Sequence, residues 1–271
     1  MKTIKISFFL SMLALSLFSC DPASVTPKDE PDMDAAKAII AAETNFDNVV
    51  QVVDFTLATI GPKKTNDFCA DISADTAAKE IIIDFGTGCQ NNNGVLRAGK
   101  IIINYIGRYR QPGSTFSITF DAYQENGEQL DGTIAITNFD RNAANQLFFT
   151  ASITNGKVTK ANGDESGFDG SRTITWVSGE NSPLDPTDDA HEITGYAAGY
   201  NAQGKAYNIE ITTPLLYKIS CLTSGKRLPS SGEMEINSTE FTGQIDVDYG
   251  NGNCDNDGTL FYNGNSFPFS I

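Results

Sequence analysis

At 271 residues, with 34 acidic against 19 basic side chains and a net charge of −15, the chain suits neither nucleic acid nor anionic lipid headgroups. Its length is enough to bury a core in one or two domains, and the acidic surplus favours solubility and cations.

The first element is a leader over residues 1–19. Lys2 and Lys5 give a positive start, and Ile6 to Phe18 is an apolar run too short to span a bilayer. Leu17-Phe18-Ser19-Cys20 resembles a lipobox, in which a small residue precedes the scissile bond and the Cys20 thiol takes a diacylglycerol. This predicts a lipoprotein signal peptide, lipidation at Cys20, and an outer-membrane address that is periplasmic or surface-exposed. Losing Lys2 and Lys5 with the leader leaves a net charge of −17. Residues 20–34, rich in proline and acids, read as a flexible tether. Within it, Lys28-Asp29-Glu30 is either a solvated spacer or part of an acidic surface-export signal.

A helix follows over residues 35–61. Ile39, Ala42, Phe46, Val50, Val53, Leu57 and Ile60 recur at spacings of three and four, one apolar stripe suited to packing on a sheet. Gly61-Pro62 stops it, and Thr44 or Asn45 offers a cap for a break partway.

From residue 62 to 271 the period changes to two. Phe116, Ile118, Phe120 and Ala122 form one face of a strand. Ile134 and Ile136, Leu147 to Ile153, and Ile174 with Trp176 repeat the pattern. Six Asn-Gly pairs punctuate the region, and Asn-Gly accepts the positive φ angles of tight hairpins. The expected fold is therefore mainly β: an antiparallel meander, sandwich or open barrel, with one N-terminal amphipathic helix. The polar stretch Ser178 to Ala190 reads as a divider between two lobes, 62–177 and 191–271. In the hairpin Glu192 to Ile211, a turn at Asn201 to Gly204 puts Tyr196 and Tyr200 on one face with Tyr207 and Ile209. That face is either core or a sugar platform.

Two stretches nearly repeat. Ile83-Asp84-Phe85-Gly86-Thr87-Gly88-Cys89 matches Val247-Asp248-Tyr249-Gly250-Asn251-Gly252-Asn253-Cys254, and Cys69 and Cys221 precede the two copies. With Cys20 acylated, four cysteines remain and allow three pairings. The repeat suggests Cys69 with Cys89 and Cys221 with Cys254. A zinc site is rejected, because there is no C-x-x-C and only one histidine.

Catalytic motifs are missing: there is no G-x-S-x-G, S-x-x-K, H-E-x-x-H or P-loop. His191, the one histidine, reads as a surface residue at a strand start. Nothing selects a catalytic pair from 34 acids, so enzymatic activity is left open and no catalytic or cofactor-binding residue is assigned. Asn253, Asp255 and Asp257, followed by Gly258, match the opening of a calcium loop, but Gly264 stands where its last carboxylate belongs. Tight-turn chemistry explains the same residues. Arg108-Tyr109-Arg110 offers either an internal ion-pair partner or a carboxylate grip.

Cys69, Ile83 to Cys89, Gly99-Lys100-Ile101, Gly107 to Gly113, Glu192 to Gly195 and Asp248 to Asp255 together resemble a family of Bacteroidota lipoproteins without an established activity. The resemblance implies a cell-envelope address and a β-rich fold, and supplies no catalytic residues. Asp75-Thr76-Ala77 also resembles a short O-glycosylation acceptor. The expected function is a lipid-anchored binding or accessory module for a glycan or envelope protein, with membrane contact through the anchor and no nucleic-acid partner. A carboxylate-based glycan-processing enzyme and a purely structural envelope protein are the alternatives. No cofactor is expected beyond calcium.

Overall fold

The computed structural model describes residues 33–59, 68–182 and 185–271, so the leader, Cys20, the tether up to residue 32 and Gly61-Pro62 lie outside the described residues, while Met33 and Asp34, expected in the tether, open the first helix. The chain begins there with helix α1, Met33–Thr59. The first strands are β1 Asp71–Asp75, β2 Glu80–Asp84, β3 Cys89–Gln90 and β4 Leu96–Ile106. Long strands follow: β5 Thr115–Glu125, β6 Glu128–Arg141, β7 Leu147–Thr159, β8 Glu165–Ser178, β9 Ala190–Tyr200 and β10 Ala206–Lys218. A short helix α2, Ile219–Thr223, leads to β11 Ser231–Ser238, β12 Gln244–Asn251, β13 Asp257–Tyr262 and β14 Asn265–Ser270.

The strands make one antiparallel sheet in chain order, with β3 pairing the start of β4, and the sheet is not closed into a barrel. Connections of a few residues allow nothing else, since parallel neighbours need long crossovers. Asn126-Gly127 and Asn263-Gly264 are the two-residue turns their positive φ angles suggest. Asn155-Gly156 is not a turn. It lies inside β7, where the register with β8 slips. The polar stretch after β8 does not divide the sheet either, because β8 and β9 pair from Gly167–Tyr200 to Ser178–Ala190. The described residues form one compact unit.

The sheet curls around α1. Every residue from Ala42 to Thr56 is buried, so the helix is enclosed on all sides and not laid across one face. It runs unbroken through Thr44 and Asn45, both buried. Register slips opposite Gly99 and Gly132 supply the bends, since a bulge kinks and twists its strand. The bulge at Ala122 also interrupts the expected alternation in β5, leaving Ala122 outside and turning Tyr123 and Glu125 inward. Phe46 sits fully buried mid-helix, edge-on to Phe120 at 5.9 Å and Phe168 at 5.0 Å.

The two cysteine copies form alike. Cys69 bonds Cys89 and Cys221 bonds Cys254, with Cα atoms 6.1 Å and 5.2 Å apart. Ile81, Ile83 and Phe85 point into the core, as do Ile245, Val247 and Tyr249. In each copy the repeated aspartate caps the turn: Asp84 accepts from the Gly86 amide at 2.8 Å, and Asp248 from the Gly250 amide at 2.7 Å. The copies also meet in space, where the Asn93 side chain donates to the Thr223 carbonyl.

Candidate functional site

The tyrosines of the β9–β10 hairpin separate. Tyr200 pairs with Ala206 and Tyr196 with Glu210, so Tyr207 and Ile209 face inward opposite Gly199 and Ala197. The expected shared face is wrong by one residue. The loop runs Asn201–Lys205, closed by the Asn201 amide donating to the Lys205 carbonyl at 3.0 Å. The Asn201 side-chain oxygen also accepts from the Gln203 and Lys205 amides at 3.0 and 2.9 Å. One extra loop residue inverts every side chain of one strand relative to the other.

Tyr207 is therefore 4% exposed, whereas Tyr196 and Tyr200 are 57% and 45% exposed on the outer face. Four strand steps separate them, about 13 Å along β9. Tyr200 lies against Gly167, where a Cβ would stand 2.6 Å from the tyrosine Oη, so only glycine admits the ring there. Asn155, Lys157, Gly167, Asp169 and Gly199 line an open groove with Tyr200. Beneath Tyr196, Gly195 takes φ +142 and its missing Cβ would meet the Ser171 carbonyl at 2.0 Å.

On the inside, the polar side of α1 faces β8 to β10. Glu43, Asp47, Gln51 and Asp54 recur at helical spacing and are at most 4% exposed. Arg172 of β8 meets Asp47 at 3.3 Å and also holds Glu43, which accepts from the Tyr207 hydroxyl at 3.1 Å. Burial pushes Glu43 up to about 7 against the pull of Arg172, with Asp47 adding to the rise. Asp47 is raised by burial too.

Farther along the helix, Arg110 pairs with Asp189 at 2.7 Å and approaches Asp54 at 3.9 Å, and its guanidinium lies 4.7 Å from the Trp176 ring centre. The sequence motif's Arg110 is thus an internal ion-pair partner, while Arg108 is exposed. His191 is not at the surface. It is 0% exposed, edge-on to Trp176 at 4.6 Å, with Nδ1 2.6 Å from the Gln51 amide oxygen. The long, curled sheet carries the start of β9 over the enclosed helix. Burial, with Arg110 adding, lowers the imidazole to about 3, and burial lifts Asp54 to about 8 despite Arg110. Asp54, Asp189 and His191 are, among the described residues, the one group of three His, Cys, Asp or Glu whose ligand atoms lie within 4.8 Å of one another.

A third network joins the cysteine copies. Arg97, paired in register with Cys89, and Arg227, between Cys221 and Cys254, both hold Glu125, at 2.7 and 2.9 Å. Burial opposes ionisation of Glu125, but the two arginines outweigh it and hold the carboxyl below its usual value.

Asn253, Asp255 and Asp257, the last of them the first residue of β13, line an open groove with Asp248. The two carboxylates are used within the fold: Asp255 accepts from the Asp257 amide at 3.3 Å, and Asp257, at the start of β13, accepts from the Ser270 hydroxyl of β14 at 2.5 Å. Asp75 likewise caps the β1–β2 turn through the Ala77 and Ala78 amides, leaving Thr76 exposed.

Sequence reading missed Glu43, Asp47, Asp54, Arg172 and Asp189. One signal was present: from Ala38 to Thr59 the helix has acids but no lysine or arginine. A solvated helix face ordinarily mixes both signs.

The fold and site define a class by architecture: an open antiparallel meander wrapped on an enclosed polar helix, stapled by two disulfides. No family model, curated protein or solved structure matches the chain.

Proposed function

We propose that the protein is a lipid-anchored cell-envelope module that binds glycan through the outer face of β8 to β10. The observation that carries this reading is the exposure of Tyr196 and Tyr200 on the same strand whose other face is core. Aromatic faces stack on the apolar faces of sugar rings, and the polar rim at Asn155, Lys157 and Asp169 suits hydroxyl groups. A ring fixed on Gly167 and a Tyr196 carbonyl held by Arg172 bind with little ordering cost. The anchor rests on the leader and Cys20.

The test is a glycan array followed by calorimetry on the lipidated protein in a sugar-free detergent. At least one envelope or dietary glycan should bind, and Tyr196→Ala with Tyr200→Ala should weaken it tenfold or more with the melting temperature unchanged. Equal binding by the double variant, or no binding across the array, overturns the reading.

A further inference from the structure

The cluster at the far end of the helix brings one imidazole and two carboxyls together. The Gln51 amide oxygen only accepts, so the proton it shares with His191 at 2.6 Å belongs to Nδ1. The lone pair is then on Nε2, which points at the Asp54 carboxylate 3.8 Å away. Nε2, both Asp54 oxygens and Asp189 Oδ1 are buried with no hydrogen-bond partner among the described residues. The three residues are at most 3% exposed. Enclosed polar atoms without partners are costly one by one.

A cation between them relieves all three together. Bonds of about 2.1 Å at tetrahedral angles set ligand atoms roughly 3.4 Å apart, so the observed spacings need only small side-chain adjustments. Arg110 does not fill the need. It engages Asp189 through Oδ2 at 2.7 Å, the oxygen that also accepts from the Trp176 indole at 3.2 Å, and Oδ1 is left without a partner. The Gln51 bond to Nδ1 is the outer partner that orients a metal-binding imidazole.

We propose that Asp54, Asp189 and His191 form a structural site for a first-row transition dication, with zinc the best fit. One imidazole with two carboxylates suits such an ion; calcium takes oxygen ligands alone. Asp54 belongs to α1 and the other two residues to the approach and start of β9, so the ion would tie the enclosed helix to the sheet. Because the site is enclosed, the ion enters as the chain folds. The proposal is independent of glycan binding.

His191 is the only histidine, which makes the test unambiguous. The full-length protein, disulfides intact, is unfolded in guanidinium and refolded with zinc, with cobalt(II), or with chelator, then gel-filtered and assayed for metal. The zinc-refolded protein should retain one equivalent and melt roughly 5 °C or more above the chelated protein. The cobalt form should show the visible absorption of an imidazole-ligated site, with a second carboxylate oxygen or a water as fourth ligand. His191→Gln and Asp54→Asn should each reduce retained zinc at least tenfold. Should either variant fail to refold, the wild-type cobalt spectrum and melting difference decide. No retained metal with coincident melting curves overturns the proposal, as does zinc retained undiminished by both folded variants.

Discussion

Arg172 donates to the main-chain carbonyl of Tyr196 at 2.6 Å while its other nitrogens hold Glu43 and Asp47 on the enclosed helix. One buried side chain thus connects the interior acids to the backbone under an exposed tyrosine. The guanidinium fork can do this because it presents several donors in one plane. The outer face is therefore positioned from inside.

Removing that fork should be severe. Arg172→Ala leaves two buried carboxyls without their counter-charge, and breaking a buried pair from one side costs about 3–5 kcal/mol. Urea unfolding of the variant should show the loss. A midpoint close to the parent would mean that Glu43 and Asp47 are neutral or hydrated in the native protein.

Phe46 tests the enclosure of the helix. It has no exposed surface and two edge-on aromatic neighbours, so Phe46→Ala should cost about 3–5 kcal/mol. A variant that melts with the parent would remove the helix from the core.

Glu43 makes stability depend on pH. Its carboxyl sits at about 7 in the folded protein against 4.5 ordinarily, so between those values the folded state holds a proton that the unfolded chain has lost. That contribution is complete below about pH 4.5 and disappears as pH rises through about 7, with a limiting slope of roughly 1.4 kcal/mol per pH unit. Glu43→Gln should flatten the decline between pH 5 and 7 relative to the parent, measured as urea midpoints across that range. Parallel curves for parent and variant would place the shared proton elsewhere.

The anchor is checked by fractionation. Cys20→Ala should abolish lipid labelling and release the protein from membranes into the aqueous phase of a detergent partition. Retention with membranes as before would locate the attachment outside the leader.

Much of the scaffold was written locally. The near-repeat around Cys89 and Cys254 indicated both disulfides, because matching strand-turn units place their cysteines alike. Short Asn-Gly connections imposed an antiparallel meander, and period-two alternation assigned Ile83, Phe116, Phe149 and Trp176 to the core. What tertiary structure decided was which polar residues are hidden. Glu43, Asp47 and Asp54 have the spacing of a solvated face, and only a sheet that curls past them makes them interior. His191 was buried by the same curvature. The tyrosines turned on one residue of loop length, since Asn201 to Lys205 closes five residues and a four-residue turn would have exchanged the faces. Periodicity fixes which side chains share a face. Long-range pairing and curvature fix which face meets water.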